Sequence, residues 1–173
     1  RLESHLAARD DLEIVISDER AELLETGGGL KKARALLGDD PVWVANIDSV
    51  WLDRGDALGD LARLWNPQAM DVALLLAQPE GAIGWPGKGD GFVDDDGRFR
   101  FRGDAPTAPL AYMGVHITRP QVVDDGPDGP FSLSPVWRRL ADEGRLFATV
   151  MDGDWMHVGD PEAVRASEAR LRG

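Results

Sequence analysis

The chain of 173 residues contains no cysteine, which excludes disulfide scaffolds, thiolate zinc sites and cysteine nucleophiles. It also lacks a long apolar run. The longest, Val72–Ala77, is far short of the roughly 20 residues that a membrane-spanning helix needs. No leader with a basic start, an apolar stretch and a small-residue cleavage site is visible, so the chain reads as a soluble cytoplasmic protein. Cations are the minority charge: 19 Lys and Arg against 31 Asp and Glu, a formal net charge of −12. Such a surface repels polyphosphate backbones and argues against nucleic-acid binding. A small phosphorylated ligand stays compatible where a cation or backbone amides screen the charge. No Walker A pattern, no dinucleotide fingerprint and no Ser-His-Asp order around a nucleophile elbow occurs.

What is there has the length of one domain with a sizeable core. Residues 1–9 read as the tail of a helix with Leu2, His5 and Leu6 on one face, an opening that implies a segment upstream of Arg1. Residues 12–16 alternate and are β-branched, which predicts a strand. Residues 30–37 favour helix and Gly38 stops it. Residues 41–47 form a near-continuous apolar run, the pattern of a strand covered on both faces. A helix follows over 57–65, closed by Asn66-Pro67, and then a buried strand over 71–77. This alternation predicts a parallel α/β sheet. Residues 78–109 are irregular and rich in Gly, Asp and Pro. Short strands at 92–93 and 99–102 flank the turn Asp94-Asp95-Asp96-Gly97, whose acids read as a solvated turn rather than a metal site. Further strands are predicted over 110–117, 146–151 and 155–158, with a loop over 124–130. One helix is predicted over 134–143, with Ser134 as N-cap, and another over 161–171, with Asp160 as N-cap.

Three stretches could carry chemistry. In Glu22-Leu23-Leu24-Glu25-Thr26-Gly27-Gly28-Gly29 the glycines before a helix would let a ligand approach free backbone amides. Inside a helix they would cost about 1 kcal/mol each, so they read as loop, and a flexible turn is the alternative. Asn46-Ile47-Asp48 follows the carboxyl end of an apolar strand, where ligands of α/β sheets bind. An Asp there is a hard oxygen ligand suited to Mg²⁺, and the alternative is a cap of the next turn. In Trp155-Met156-His157-Val158-Gly159-Asp160, His157 is either a packed strand residue or a ligand.

These three strings, in this order, resemble the sugar-1-phosphate nucleotidyltransferases, and most of all their N-acetylmuramate 1-phosphate uridylyltransferase branch. The resemblance runs over nearly the whole chain. It implies an α/β fold of Rossmann-like, GT-A-like type, a three-layer sandwich around a mostly parallel sheet. Residues 1–173 would be one domain, with 78–109 an inserted hairpin region. It implies that Asp48 holds Mg²⁺ (or Mn²⁺), that Asn46 lies by the sugar, and that Glu22, Thr26, Gly27 and Gly28 line the nucleotide. Gly89-Asp90 matches a Gly-Asp pair that contacts the sugar, and Tyr112-Met113-Gly114 matches a strand walling its pocket. The implied reaction joins a nucleoside triphosphate, UTP in that branch, to a sugar 1-phosphate and releases pyrophosphate, in the service of cell-wall recycling. Two departures stand out. The family's Gly-rich loop with an Arg and a downstream Pro-Lys-Pro is not in the sequence, and it would precede Arg1. The family also has Asp where His157 stands, as a second metal ligand, and His suits Mn²⁺ or Zn²⁺ better than Mg²⁺. A hexose-1-phosphate nucleotidyltransferase is the alternative enzyme. A module that binds a nucleotide sugar without catalysis is the alternative from another class.

Overall fold

A computed structural model describes residues 2–172. In chain order the elements are α1 (Leu2–Leu6), α2 (Glu25–Leu37), β1 (Val42–Ala45), β2 (Ser49–Asp53), α3 (Ala57–Leu64), β3 (Val72–Ala77), β4 (Gly91–Val93), β5 (Phe99–Phe101) and β6 (Ala111–Thr118). A 3₁₀ turn (Pro120–Val123), α4 (Ser134–Asp142), β7 (Leu146–Val150), β8 (Gly153–His157) and α5 (Pro161–Arg172) complete it.

The central sheet has strand order β1-β6-β3-β7. β3 pairs with β7 in parallel, and β6 runs antiparallel to both β1 and β3, so three of the four strands share a direction. β3 lies inside the sheet and is buried at every position. Its period-2 alternation feeds both faces. Ala73, Leu75 and Ala77 pack with Leu61 of α3, Val115 of β6 and Trp155 of β8. Val72, Leu74 and Leu76 pack with Leu140 of α4 on the other face. Leu30 of α2 joins Val123 and Leu133 on that second side. The result is three layers, with the β2–β8 ribbon and the β4–β5 hairpin set against the sheet. Asp160 caps α5 as expected, its Oδ1 accepting from the amides of Glu162 (2.8 Å) and Ala163 (2.9 Å).

Several expectations are corrected. Residues 12–16 form no strand and are exposed. β-branched alternation favours extended backbone, but a strand needs an edge to pair with, and these residues pair with none among those described. The apolar run at 41–47 gives only β1, an end strand of the sheet with alternate residues exposed; Trp43 is 49% and Ile47 99% exposed. The triple glycine lies inside α2 rather than in a loop. Gly27 and Gly28 are there because the chain at 129–131 crosses that helix turn closely. A Cβ on Gly28 would stand 2.5 Å from the Gly129 carbonyl oxygen, and one on Gly27 would meet the Phe131 ring at 2.4 Å. Ser134 is a helical residue, not the cap. Leu133 precedes the helix and Ser132 Oγ accepts the Ser134 amide at 3.1 Å. The helix-tail expectation for residues 1–9 holds over Leu2–Leu6, which buries nothing, while Arg1 lies outside the described residues.

Candidate functional site

The carboxyl end of β1 and the start of β6 meet at one side of the sheet. There β6 is irregular: Leu75 faces Val115 but Leu76 faces Tyr112, so Met113 and Gly114 bulge out of the ladder. Gly114 adopts φ 89°, a region that favours glycine. The bulge frees two carbonyls, and both hold the Asn46–Ser49 turn. Asn46 N–H donates to Gly114 O (2.8 Å), and the Ser49 hydroxyl donates to Met113 O. Ser49 Oγ in turn accepts from the Trp155 indole N–H at 3.0 Å. β2 pairs with β8 so that Ser49 faces His157, and Val158 N–H donates to Asp48 O (2.8 Å). This places His157 Nε2 3.4 Å from Asp48 Oδ2. The Asp48 carboxylate, 41% exposed, takes no hydrogen bond from a described backbone amide.

These groups open into a cavity of about 400 Å³ that Asn46, Asp48, Asp90, Tyr112, Gly114 and His157 all line. Four separate stretches of the chain thus deliver the residues expected at a sugar and its metal. Asp90 Oδ2 accepts from Tyr112 N–H (2.8 Å), which ties the irregular region to β6. Gly89, beside it, has φ 77°. Trp85 and Trp155 form an aromatic wall with centroids 5.1 Å apart, and Trp85 stands edge-on to His157.

The glycine motif goes elsewhere. Glu22, Thr26, Gly27 and Gly28 do not line this cavity. Glu22 is exposed. Thr26 Oγ1 accepts from Leu133 N–H (3.0 Å), and the amides of Gly27 and Gly28 donate to Phe131 O at 2.8 and 3.1 Å. Those two amides are therefore engaged within the chain rather than open to a ligand. Thr26 does line a neighbouring apolar groove, which shares Asn46, Tyr112 and Trp137 with the cavity.

Sequence reasoning missed Trp85, Arg102, Arg138 and Trp155 as lining residues. Trp155 carried a signal, since alternation in a strand puts it on the face of His157. The other three have no local signature, because only the folded hairpin and α4 bring them here.

Tyr112 hydroxyl and His116 Nδ1 lie 2.7 Å apart in a buried cluster with Trp137. Burial pushes the Tyr112 phenol well above its ordinary range, with the Asp48 charge adding to it, and burial pushes His116 down to about 3. His116 is therefore neutral in the folded protein at pH 7 while the unfolded chain titrates near 6.5. Below that value the unfolded state binds a proton that the folded state refuses, so stability falls with pH by about 1.4 kcal/mol per unit until His116 itself protonates. Unfolding free energies at pH 6, 5.5 and 5 should approach this slope. His116→Phe should flatten the dependence even if it lowers stability overall. An unchanged slope would mean that His116 is not held neutral.

The strand ends of the sheet frame a cavity with Asn46-Ile47-Asp48 at its rim, and the fold around it is shared with solved sugar nucleotidyltransferases. The fold matches a UDP-glucose pyrophosphorylase complexed with UDP-glucose with TM-score 0.63 and 18% identity, over 87% of this chain and 63% of that one. In sequence the chain is 52% identical over 98% of its length to N-acetylmuramate alpha-1-phosphate uridylyltransferase of Caulobacter vibrioides, covering 72% of it. It is 29% identical over 90% of its length to the enzyme of that name from Neisseria meningitidis serogroup B, covering 66% of it. No protein-family model matches. The chain belongs to the N-acetylmuramate alpha-1-phosphate uridylyltransferase family. Among the described residues no helix is long and apolar enough to cross a membrane.

Proposed function

We propose that this protein transfers a uridylyl group from UTP to N-acetylmuramic acid 1-phosphate, releasing pyrophosphate and forming UDP-N-acetylmuramic acid for cell-wall recycling. The observation that carries the reading is the convergence of Asn46, Asp48, Asp90 and His157 on one cavity in a chain 52% identical to a uridylyltransferase of that name. An oxygen of the sugar phosphate attacks the α-phosphorus, the bond to the β-phosphate breaks, and pyrophosphate leaves with the electron pair. No protein nucleophile is required, so catalysis is positioning and charge neutralisation.

The donor set fits Mg²⁺, which keeps several waters and takes one or two carboxylates together with substrate phosphates. Asp48 supplies a carboxylate that no described backbone amide occupies, and His157, 3.4 Å away, would orient it or act as a weaker second ligand. Bound there, Mg²⁺ (or Mn²⁺) would screen the phosphates from a chain of net charge −12. Asn46 and Asp90 would hold the sugar. Tyr112 and Gly114 wall its pocket. The nucleotide would lie toward the adjoining groove, where Thr26 and Gly29 stand.

Pyrophosphate release by the full gene product with UTP and Mg²⁺ tests this. Release with N-acetylmuramic acid 1-phosphate and not with glucose 1-phosphate is expected. Release with glucose 1-phosphate alone would make it a hexose-1-phosphate enzyme, and none with either sugar would leave a nucleotide-sugar-binding module.

A further inference from the structure

The position of the Asp48 carboxylate is set from outside. Among the described residues no backbone amide bonds it, and Ile47 beside it is exposed and anchors nothing. The next residue does the holding. Ser49 opens β2, half-buried, and uses its hydroxyl twice. It donates to Met113 O in the bulge of β6 and accepts from the Trp155 indole N–H at 3.0 Å. The register explains the second bond. Ser49 faces His157 across the β2–β8 ribbon and is diagonal to Trp155, a distance that a long side chain spans. The bulge comes up against Ser49 from the other side, where a Cβ on Gly114 would lie 3.3 Å from Ser49 Cβ. One hydroxyl thus joins β2, β6 and β8.

These bonds exclude the role of nucleophile. The Ser49 proton goes to a carbonyl oxygen rather than to a base, and the indole N–H engages the oxygen. What the hydroxyl adds is orientation. Both of its partners, Met113 and Trp155, line the cavity that holds Asp48. Trp155 packs against Trp85, with centroids 5.1 Å apart and planes tilted by 47°, and its ring centroid lies 6.3 Å from that of His157. The bond to Ser49 fixes the rotation of the indole about its own side-chain axis. The floor of the cavity, its aromatic wall and the turn that carries Asp48 therefore share one point of attachment.

We propose that Ser49 is a positioning residue, whose hydroxyl sets the Asp48 turn against Met113 and the Trp155 ring so that the carboxylate meets the bound phosphates in reactive geometry. Other groups bind the substrates, so loss of the hydroxyl falls on kcat rather than on KM. This rests on the proposed reaction for its kinetic arm. The ring orientation is read without turnover, because two indoles in contact give an exciton-coupled circular dichroism signal whose sign and size follow their mutual angle.

The experiment compares Ser49→Ala, Ser49→Thr and Trp155→Phe with wild type in the full gene product, by pyrophosphate release, circular dichroism and a thermal melt. Ser49→Ala leaves the Met113 carbonyl and the Trp155 N–H unpaired, so some stability is lost in any case. Beyond that, kcat should fall on the order of 10- to 100-fold, the cost of a displacement of about 1 Å. Both KM values should stay within about 3-fold of wild type. The indole signal should change with kcat. Ser49→Thr keeps the hydroxyl on a strand residue, where a branched side chain suits the backbone, and should restore both. Trp155→Phe removes the indole N–H and leaves the bond to Met113, so its loss of kcat should be smaller. The double variant Ser49→Ala/Trp155→Phe should lose less than the product of the two single losses. A lower melting temperature with normal kcat in Ser49→Ala overturns the proposal and makes Ser49 structural only, and losses that multiply in the double variant overturn it too. If Ser49→Ala fails to fold, Trp155→Phe decides, and unchanged kcat there overturns the proposal. Wild type that releases no pyrophosphate, with an indole signal that Ser49→Ala changes and Ser49→Thr restores, would overturn the reaction and keep the brace.

Discussion

If the proposed reaction holds, Asp48→Asn is expected to reduce turnover by about 10³-fold, since a carboxylate that held a metal ion at phosphoryl transfer would stabilise several kcal/mol of developing charge. The amide keeps the shape of the side chain and removes its charge. No described backbone amide relies on this carboxylate, and its one ion pair is with the half-exposed His157, a contact of small energetic worth. The melting temperature should therefore move by roughly 2 °C or less. Steady-state pyrophosphate release and a thermal melt on the same preparation separate the roles. Activity within a few-fold of wild type would remove Asp48 from the mechanism. A large drop in melting temperature would make it a structural cap. His157→Gln should show the same pattern with a smaller loss of rate, because the carboxylate remains.

Gly89→Ala is expected to cost about 3 kcal/mol or more, which is a large part of the net stability of a domain this size. Two effects add. At φ 77° an L side chain is strained, and a Cβ would stand 2.0 Å from the Ala108 carbonyl oxygen, where backbone rather than a flexible side chain would have to move. The site would suffer with the fold. Gly89 O is the acceptor for Arg102 Nε, and the next residue, Asp90, pairs through its amide with Leu110 O (2.7 Å). Gly103→Ala is the control, since φ there is 57° but nothing lies within 4 Å of the added Cβ, so only strain of about 1 kcal/mol remains. Denaturant unfolding of both variants measures the difference. Equal destabilisation would show that the close approach to Ala108 is not what requires glycine.

The elements legible in the sequence are those whose pattern reflects their own burial. Val72–Ala77 is apolar throughout and is buried throughout, and the turn at Asp94–Gly97 announced the β4–β5 hairpin. Errors came where the deciding contact is remote. Residues 41–47 look like a central strand, but whether a strand lies inside a sheet or at its end depends on neighbours elsewhere in the chain. Ser49–Asp53 gave no strand signal apart from its partner, β8, about a hundred residues on. The triple glycine looked like a loop because propensity counts its entropy and cannot see the 129–131 segment that demands small residues there. At the site, the Asn-x-Asp step was visible as a local string, Gly89-Asp90 and Tyr112-Met113-Gly114 were visible only through the family resemblance, and the fold brings them together. Arg102 and Arg138 were not visible, because only the folded hairpin and α4 bring them to the cavity.

The two carbonyls released by the bulge at Met113-Gly114 have a dynamic consequence. The turn bearing Asp48 is a loop by shape, yet it is bonded to the inner strand β6 on one side, through Asn46 N–H and the Ser49 hydroxyl, and to Val158 on the other. Loops held only by their ends fray well below the global transition. This one should open only when the sheet does, so that it belongs to the same cooperative unit as the core. Heat should then remove activity along the global melting curve, with no earlier phase in which a folded protein has lost the turn that carries Asp48.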